Sequence, residues 1–268
     1  MGIGPRIGPA VGPRIGPAVG VSADPIVPPA ASGSGDGPGG LIQAPMTAVG
    51  FAALTGRTPT HAYTCQEASG NLADQIGSVN LVAAGTPLYQ QTIAGWTRKG
   101  VGFNETLNQR FAVGAGSGPN ATVTPVAMLI YFTCRTPAAM RNMLILSDAG
   151  ATARSCALNG VTGLLRTQCA ATTNDGVVDH RDGAVHPLLL TLDIAGSNTN
   201  RYTDLEKDNG TFAAGVLDGN KGIGALTGLN SHLGEVAGLW IFEGTDAQFT
   251  DAQAKALLQG LGWSIPWT

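Results

Sequence analysis

The chain has 268 residues, of which 12% are charged, 43% hydrophobic and 39 are glycine, and its formal net charge is -3. Low charge with abundant Gly, Thr, Ala and Val excludes a helical bundle or coiled coil and points to turn-rich sheet, in one large all-β domain or two small ones. There is no clustered Lys and Arg to hold nucleic acid, and no apolar run approaches the ~18 residues of a membrane span.

Residues 2–20, GIGPRIGPAVGPRIGPAVG, are a repeat of Gly-Pro-x-(Ile/Val) in which GPRIGPAV is duplicated. The period of four excludes a collagen triple helix, which needs glycine at every third position. Proline at every fourth residue excludes an α-helix and any central strand. An extended, polyproline-like ribbon remains, able to reach roughly 60 Å at ~3.1 Å per residue. Along it, Ile3, Ile7, Val11, Ile15 and Val19 are apolar teeth spaced by Pro5, Pro9, Pro13 and Pro17. A solubilising tail has no use for such teeth, so residues 1–20 read as an anchor arm that lies on a partner. The N-terminus also lacks the apolar core of a signal peptide, so synthesis in the cytoplasm without a secretory signal is expected.

Residues 21–45 continue in Pro, Gly and Ser and read as a linker. The body, residues 46–268, starts with a predicted strand at Tyr63-Thr64-Cys65, followed by a turn-rich loop. Residues 101–103 and 110–113 read as short strands. Residues 123–134, VTPVAMLIYFTC, are apolar on both alternating faces and predict a central strand covered on both sides, with residues 142–146 as its partner. Further strands are predicted over 163–169, 185–194, 200–204 and 225–229. Between them stand Asn159-Gly160, Asp175-Gly176, Asp182-Gly183, Asn209-Gly210 and Asp218-Gly219, all read as tight hairpin turns.

The chain closes with GEVAGLWIFEGTDAQFTDAQAKALLQGLGW, residues 234–263. Residues 236–242 read as a buried strand. A helix follows, with Thr250 and Gln253 at the spacing of a capping box and Asp251 in the first turn, where the helix dipole favours a negative charge. Ala254, Leu257, Leu258 and Leu261 form its apolar stripe, and Gly260 is the expected stop. The four cysteines, Cys65, Cys134, Cys156 and Cys169, are widely spaced and form no zinc motif. They read as buried and reduced, with a Cys156–Cys169 disulfide as the minority alternative.

From about residue 61 to 263 the chain resembles the concanavalin A-like lectin/glucanase superfamily, in its laminin G-like or pentraxin-like branch. The resemblance rests on Glu67-x-Ser69-Gly70 with Asp74 and Gly77, on Gly85-Thr86-Pro87-x-Tyr89, on the strand over residues 126–133, and on Gly238-Leu239-Trp240-Ile241-Phe242 with its acidic loop and helix. It implies an all-β, two-sheet antiparallel jelly-roll sandwich of about a dozen strands. Its glycosidases use two carboxylates facing one cleft. The nearest string here, Glu206-Lys207-Asp208, lacks a second glutamate and reads as a turn, so no catalytic residue is assigned and no enzyme is expected. Laminin G-like domains often hold Ca²⁺ through loop carboxylates, which makes Asp74 and Asp148 weak candidates for an otherwise cofactor-free chain. The polar cluster Asp175, Asp179, His180, Asp182 and His186 invites a metal reading, but turn chemistry explains its acids and no metal site is assigned. Of the four tryptophans, Trp240 reads as core, Trp263 and Trp267 as packing for the C-terminus, and Trp96 as the one open to a glycan.

These features together predict a structural or adhesive component of a large particle. A phage virion decoration or fibre protein is the leading form, docked to other assembly proteins by its arm and displaying a lectin-like domain to surface glycans. Homo-oligomerisation is expected, with a trimer as one option. Nucleic-acid binding and membrane insertion are not expected. A free cell-surface lectin is the alternative, and a glycoside hydrolase stands behind both.

Overall fold

The computed structural model describes residues 47–106, 108–113, 125–136, 141–147, 154–158, 162–169, 172–193, 198–211, 221–225 and 231–268. The arm, with all of its Ile, Val and Pro positions, and the linker lie outside them. Helix α1 (Ala48–Thr55) comes first, followed by β1 (His61–Tyr63), β2 (Val82–Ala84), β3 (Leu88–Thr92), β4 (Lys99–Asn104) and β5 (Arg110–Val113). The middle holds β6 (Val126–Thr133), β7 (Arg141–Ser147), β8 (Arg154–Leu158), β9 (Leu164–Cys169) and β10 (Thr172–Asp179). Then come β11 (Val185–Asp193), β12 (Asn198–Thr203), β13 (Lys207–Thr211), β14 (Lys221–Ile223) and β15 (Leu233–Glu243), a single 3-10 turn (Gly244–Ala247) and α2 (Asp251–Gly260).

The strands form two antiparallel sheets. An 8-stranded sheet runs β13-β12-β11-β6-β15-β4-β3, with β1 also on β15. A 7-stranded sheet runs β10-β9-β8-β7-β14-β5-β2. The expected two-sheet sandwich with a C-terminal helix is therefore present.

β6 lies at the centre of the larger sheet and every one of its residues is buried. Its side chains alternate between two cores. Val126, Met128, Ile130 and Phe132 pack between the sheets with Leu188, Leu190 and Ile241. Ala127, Leu129 and Tyr131 face the other way, into a core closed by the two helices. There Tyr131 meets Trp240 at 5.2 Å and Trp263 at 5.4 Å between ring centroids. The molecule is thus layered as sheet, sheet and helices. This is why β6 reads as apolar on both faces.

Helix α2 is capped as predicted. The Gln253 N–H donates to Thr250 Oγ1 at 3.3 Å, and the Thr250 N–H donates to Gln253 Oε1 at 3.0 Å. Ala254, Leu257, Leu258 and Leu261 are fully buried. The chain turns left-handed at Gly262, φ 91°, and not at Gly260. Gly260 serves packing: a Cβ there would come within 2.6 Å of the Leu54 carbonyl oxygen in α1. Helix α1 is itself absent from the sequence reading, because AVGFAALT is apolar on every side and carries no helical period. Its Phe51 docks against Trp240 and Phe242 at 5.8 and 5.5 Å.

Several other expectations are corrected. β7 does not pair with β6, whose two edges are taken by β11 and β15; it lies in the other sheet, between β8 and β14. The opening strand is β1, and Cys65, at φ 57°, lies beyond its end. β14 precedes the predicted 225–229 segment, most of which lies outside the described residues. Asp182-Gly183 does turn, with Gly183 at φ 75°. Asn209-Gly210, however, lies inside β13, where Asn209 pairs with Asn200. Asp175-Gly176 lies inside β10 at a register shift. Gly176 leaves room there for the Glu206 carboxylate, since a Cβ would sit 2.1 Å from its Oε1 and the side chain would have to shift. Asn159-Gly160 and Asp218-Gly219 lie outside the described residues. Cys65 and Cys134 are buried and not joined in a disulfide. The β8–β9 register sets Cys156 opposite Thr167 and Cys169 opposite Arg154.

Gly260→Ala tests the helix–helix contact. Helix propensity alone favours alanine by ~1 kcal/mol, but the clash is with backbone and outweighs it. The variant should melt below the wild type. A raised Tm would show that α1 yields freely.

Candidate functional site

The outer face of the larger sheet is only partly covered by helices, and where the cover stops the side chains change character. One cross-strand row, Leu129, Leu189, Tyr202 and Lys207, lies beneath α2. Asp251, in the first turn of that helix, ties this row down. It accepts from the Tyr202 hydroxyl at 3.1 Å, from Lys207 Nζ at 2.7 Å and from Asn209 Nδ2 at 3.2 Å. The Lys207 ammonium holds its carboxyl below the ordinary carboxylate range. The next row on the same face is Ala127, Thr191, Asn200 and Asn209. Here the sheet opens into a groove of about 350 Å³, with Thr191 and Asn200 in its floor and Thr245, Gln248 and Gln253 around it.

Arg57 and Phe249 complete the groove. Arg57 leaves α1 just after Gly56, whose φ of 70° ends the helix. Its Nη1 donates to the Thr245 carbonyl at 2.9 Å, and its guanidinium carbon lies 4.7 Å above the Phe249 ring. Two contacts therefore fix the guanidinium plane. The lining offers hydroxyls, amides and this one cation, and no carboxylate. Such a set can exchange hydrogen bonds with a polyhydroxylated ligand.

The residues singled out from sequence lie elsewhere. Trp96 is 6% exposed and packed on Tyr131, so its ring is not offered to a glycan. Asp74 is the hub of the loop after β1. Its Oδ1 accepts from the Ala62, Ile76 and Gly77 amides at 3.2, 3.2 and 3.0 Å. Its Oδ2 accepts from Val79 N at 3.1 Å and His61 Nδ1 at 2.6 Å. Burial would raise its pKa, but these hydrogen bonds hold it low. Both oxygens are committed to the protein. Asp148 lies outside the described residues.

The aspartate–histidine cluster divides into two Asp–Arg pairs and a His186 held between two carboxylates. Asp175 meets Arg166 at 2.5 Å, and Asp179 meets Arg181 at 2.5 Å. His186 is buried and donates Nδ1–H to Asp204 at 2.9 Å and Nε2–H to Asp182 at 3.0 Å. No group of three or more His, Cys, Asp or Glu converges on a cation-sized position among the described residues. Glu206-Lys207-Asp208 is not a turn; it enters β13. Glu206 and Asp208 face the fully buried Arg201, whose Nη2 is 3.7 Å from Glu206 Oε1 and 3.1 Å from Asp208 Oδ2. Arg57, Thr191, Asn200 and Gln248 were missed, having no motif. The one available signal was polar Thr191 interrupting the apolar run of β11.

No family model and no curated protein matches the chain. Similar solved structures do exist. Trypanosoma rangeli sialidase in complex with the inhibitor DANA matches with a TM-score of 0.56 at 12% identity, over 74% of this chain and 32% of that one. Domain 4 of AbnA, a GH43 extracellular arabinanase from Geobacillus stearothermophilus solved with arabinotriose, matches with a TM-score of 0.53 at 16% identity, over 75% of this chain and 98% of that one. The binding domain of botulinum neurotoxin serotype D matches with a TM-score of 0.54 at 9% identity, over 75% and 50%. The chain spans about a third of the sialidase's length. At these identities the likeness shows the fold alone: a two-sheet antiparallel β-sandwich.

The buried histidines set a pH profile. Burial, with the nearby His186 charge, pushes His180 down to about 4, and burial pushes His232 down to about 4. Both stay neutral in the fold, so their contribution is lost as pH falls from 6.5 towards 4. For His186, burial is outweighed by Asp204 and Asp182 and the pKa is raised, so its contribution is full below 6.5 and lost as pH rises through the folded value. The two effects occupy different windows. The urea midpoint should therefore peak near about pH 6.5 and fall on both sides. A midpoint that keeps rising down to about pH 5 would contradict this.

Proposed function

We propose that this chain is a non-catalytic carbohydrate-binding module, used as the adhesive, displayed part of a larger particle. The observation that carries the reading is the open polar groove above Thr191 and Asn200. Sugar hydroxyls both donate and accept, and so do the amides of Asn200, Gln248 and Gln253 and the hydroxyls of Thr191 and Thr245. Phe249 supplies a small apolar surface beneath Arg57. The fold likeness to an arabinanase domain solved with arabinotriose is consistent with this use. The absence of carboxylates from the lining favours binding over hydrolysis, and no metal or cofactor is needed for it.

The particle half of the proposal is carried by the duplicated GPRIGPAV arm, whose regularly spaced Ile and Val give a docking partner something apolar to hold. A phage virion decoration or fibre protein is the form we favour. A free lectin would use the same groove without an arm partner.

The full-length chain should bind a subset of an oligosaccharide array and release no hydrolysis product. Asn200→Ala and Gln248→Ala should each weaken binding roughly fivefold, the worth of about one hydrogen bond, without lowering Tm. Deleting residues 1–20 should leave glycan binding unchanged and abolish retention on the particle. An array with no bound sugar would overturn the carbohydrate reading. Full retention of the truncated chain would overturn the anchor.

A further inference from the structure

We propose that the groove is built for a carboxylated sugar, a uronic or sialic acid, whose carboxylate sits on Arg57. This deepens the carbohydrate reading above and rests on it. The observation is the state of that guanidinium. Five other cations lie against acids, Arg135 on Glu235, Arg166 on Asp175, Arg181 on Asp179, Arg201 on Glu206 and Asp208, and Lys207 on Asp251, while Lys255 is held by the Trp267 carbonyl and ring and lies outside the groove. Arg57 is held by a backbone carbonyl and the face of Phe249 and, among the described residues, has no carboxylate within ion-pair distance. Asp246 lies beside Thr245 in sequence and yet makes no ion pair with it.

A guanidinium at the groove that is not paired with a protein carboxylate keeps its charge-assisted hydrogen-bonding capacity for a bound anion. The fork is also pre-oriented: Nη1 is fixed on Thr245 and the plane on Phe249, which lowers the entropy lost when a ligand is met. The groove lining contains no acid to cancel its field. The planar fork can pair bidentately with a carboxylate, the anionic group that uronic and sialic acids carry. With the carboxylate there, Asn200 and Gln248 are left for ring hydroxyls. The chain's net charge of -3 gives anions no general attraction, so a preference for an acidic sugar would have to arise at this site.

The test compares a glucuronate oligosaccharide with its methyl ester, identical in ring and hydroxyls but uncharged, using the full-length chain and isothermal titration. A sialylated oligosaccharide and its methyl ester form the second arm and decide which acid is preferred. The acid should bind at least about tenfold more tightly than its ester, with the difference shrinking as salt is raised. Arg57→Gln should erase the difference between acid and ester, with a cooperative thermal transition showing that the variant is folded. Arg57→Lys should retain the charge but lose the fork and recover only part of it. Equal binding of acid and ester in both arms, or a preference that survives Arg57→Gln, would overturn the inference and leave a neutral-sugar groove. Loss of both acid and ester binding in wild type would instead overturn the carbohydrate reading itself.

Discussion

The structure depends on the double burial of β6. A strand whose residues are apolar on both faces cannot sit in a two-layer sandwich with one face in water, because each exposed Leu or aromatic side chain forfeits about 1.5–3 kcal/mol of burial. The second sheet covers one face, and two short helices cover the other. Helix α1 has little intrinsic stability at eight residues, and α2 at ten is scarcely better. Both are held by what they cover: Phe51 on Trp240 and Phe242, and Leu257 and Leu258 over the core beneath.

Among the described residues two short helices lie over an eight-stranded sheet, and their cover has an edge. The sequence of the sheet accommodates that edge. On β11 and β12 the outward positions pass from Leu189 and Tyr202, which are covered, to Thr191 and Asn200, which face the groove. Asp251 marks the border, since one carboxylate stabilises the helix N-terminus and binds three groups of the sheet below. On the inner face of the same strands, Arg201 is buried among Glu206, Asp208 and Thr167. Replacing a single member would leave an unpaired buried charge, so this network constrains how β12 and β13 sit against β9 and β10. The groove floor is thus positioned from below by an ion cluster and from above by a helix cap.

What was legible in the sequence follows from the range of each signal. β6, β15 and the α2 cap were readable because burial on both faces and a Thr250–Gln253 box are local facts. The Asp-Gly and Asn-Gly pairs were only half readable. Asp182-Gly183 turns, but Asp175-Gly176 answers to Glu206, 30 residues away, whose Oε2 accepts from Val177 N at 2.7 Å. A small residue records that something approaches closely, but it does not record what. The same holds for Gly260, which looks like a helix stop and makes room for the Leu54 carbonyl. β7 was assigned to the wrong sheet because adjacency in sequence says nothing about which sheet a returning strand joins. Asp74 drew attention as an acid in a loop, and its five protein hydrogen bonds have no trace in one dimension.

The groove residues were invisible for a related reason. Binding sites in β-sandwiches need no motif when their chemistry is hydrogen bonding to hydroxyls, since Thr, Asn and Gln are ordinary on any outward strand position. What distinguishes Thr191 and Asn200 is where the helical layer ends, a property of the assembled fold. Arg57 is the sharper case. In sequence it is one of 15 basic residues; in the fold it is fixed by a carbonyl and an aromatic ring at a groove whose lining residues include no acid. A side chain held that firmly has its geometry decided before any ligand arrives. Pre-organisation of this kind is what separates a binding groove from a gap at the edge of a helical layer.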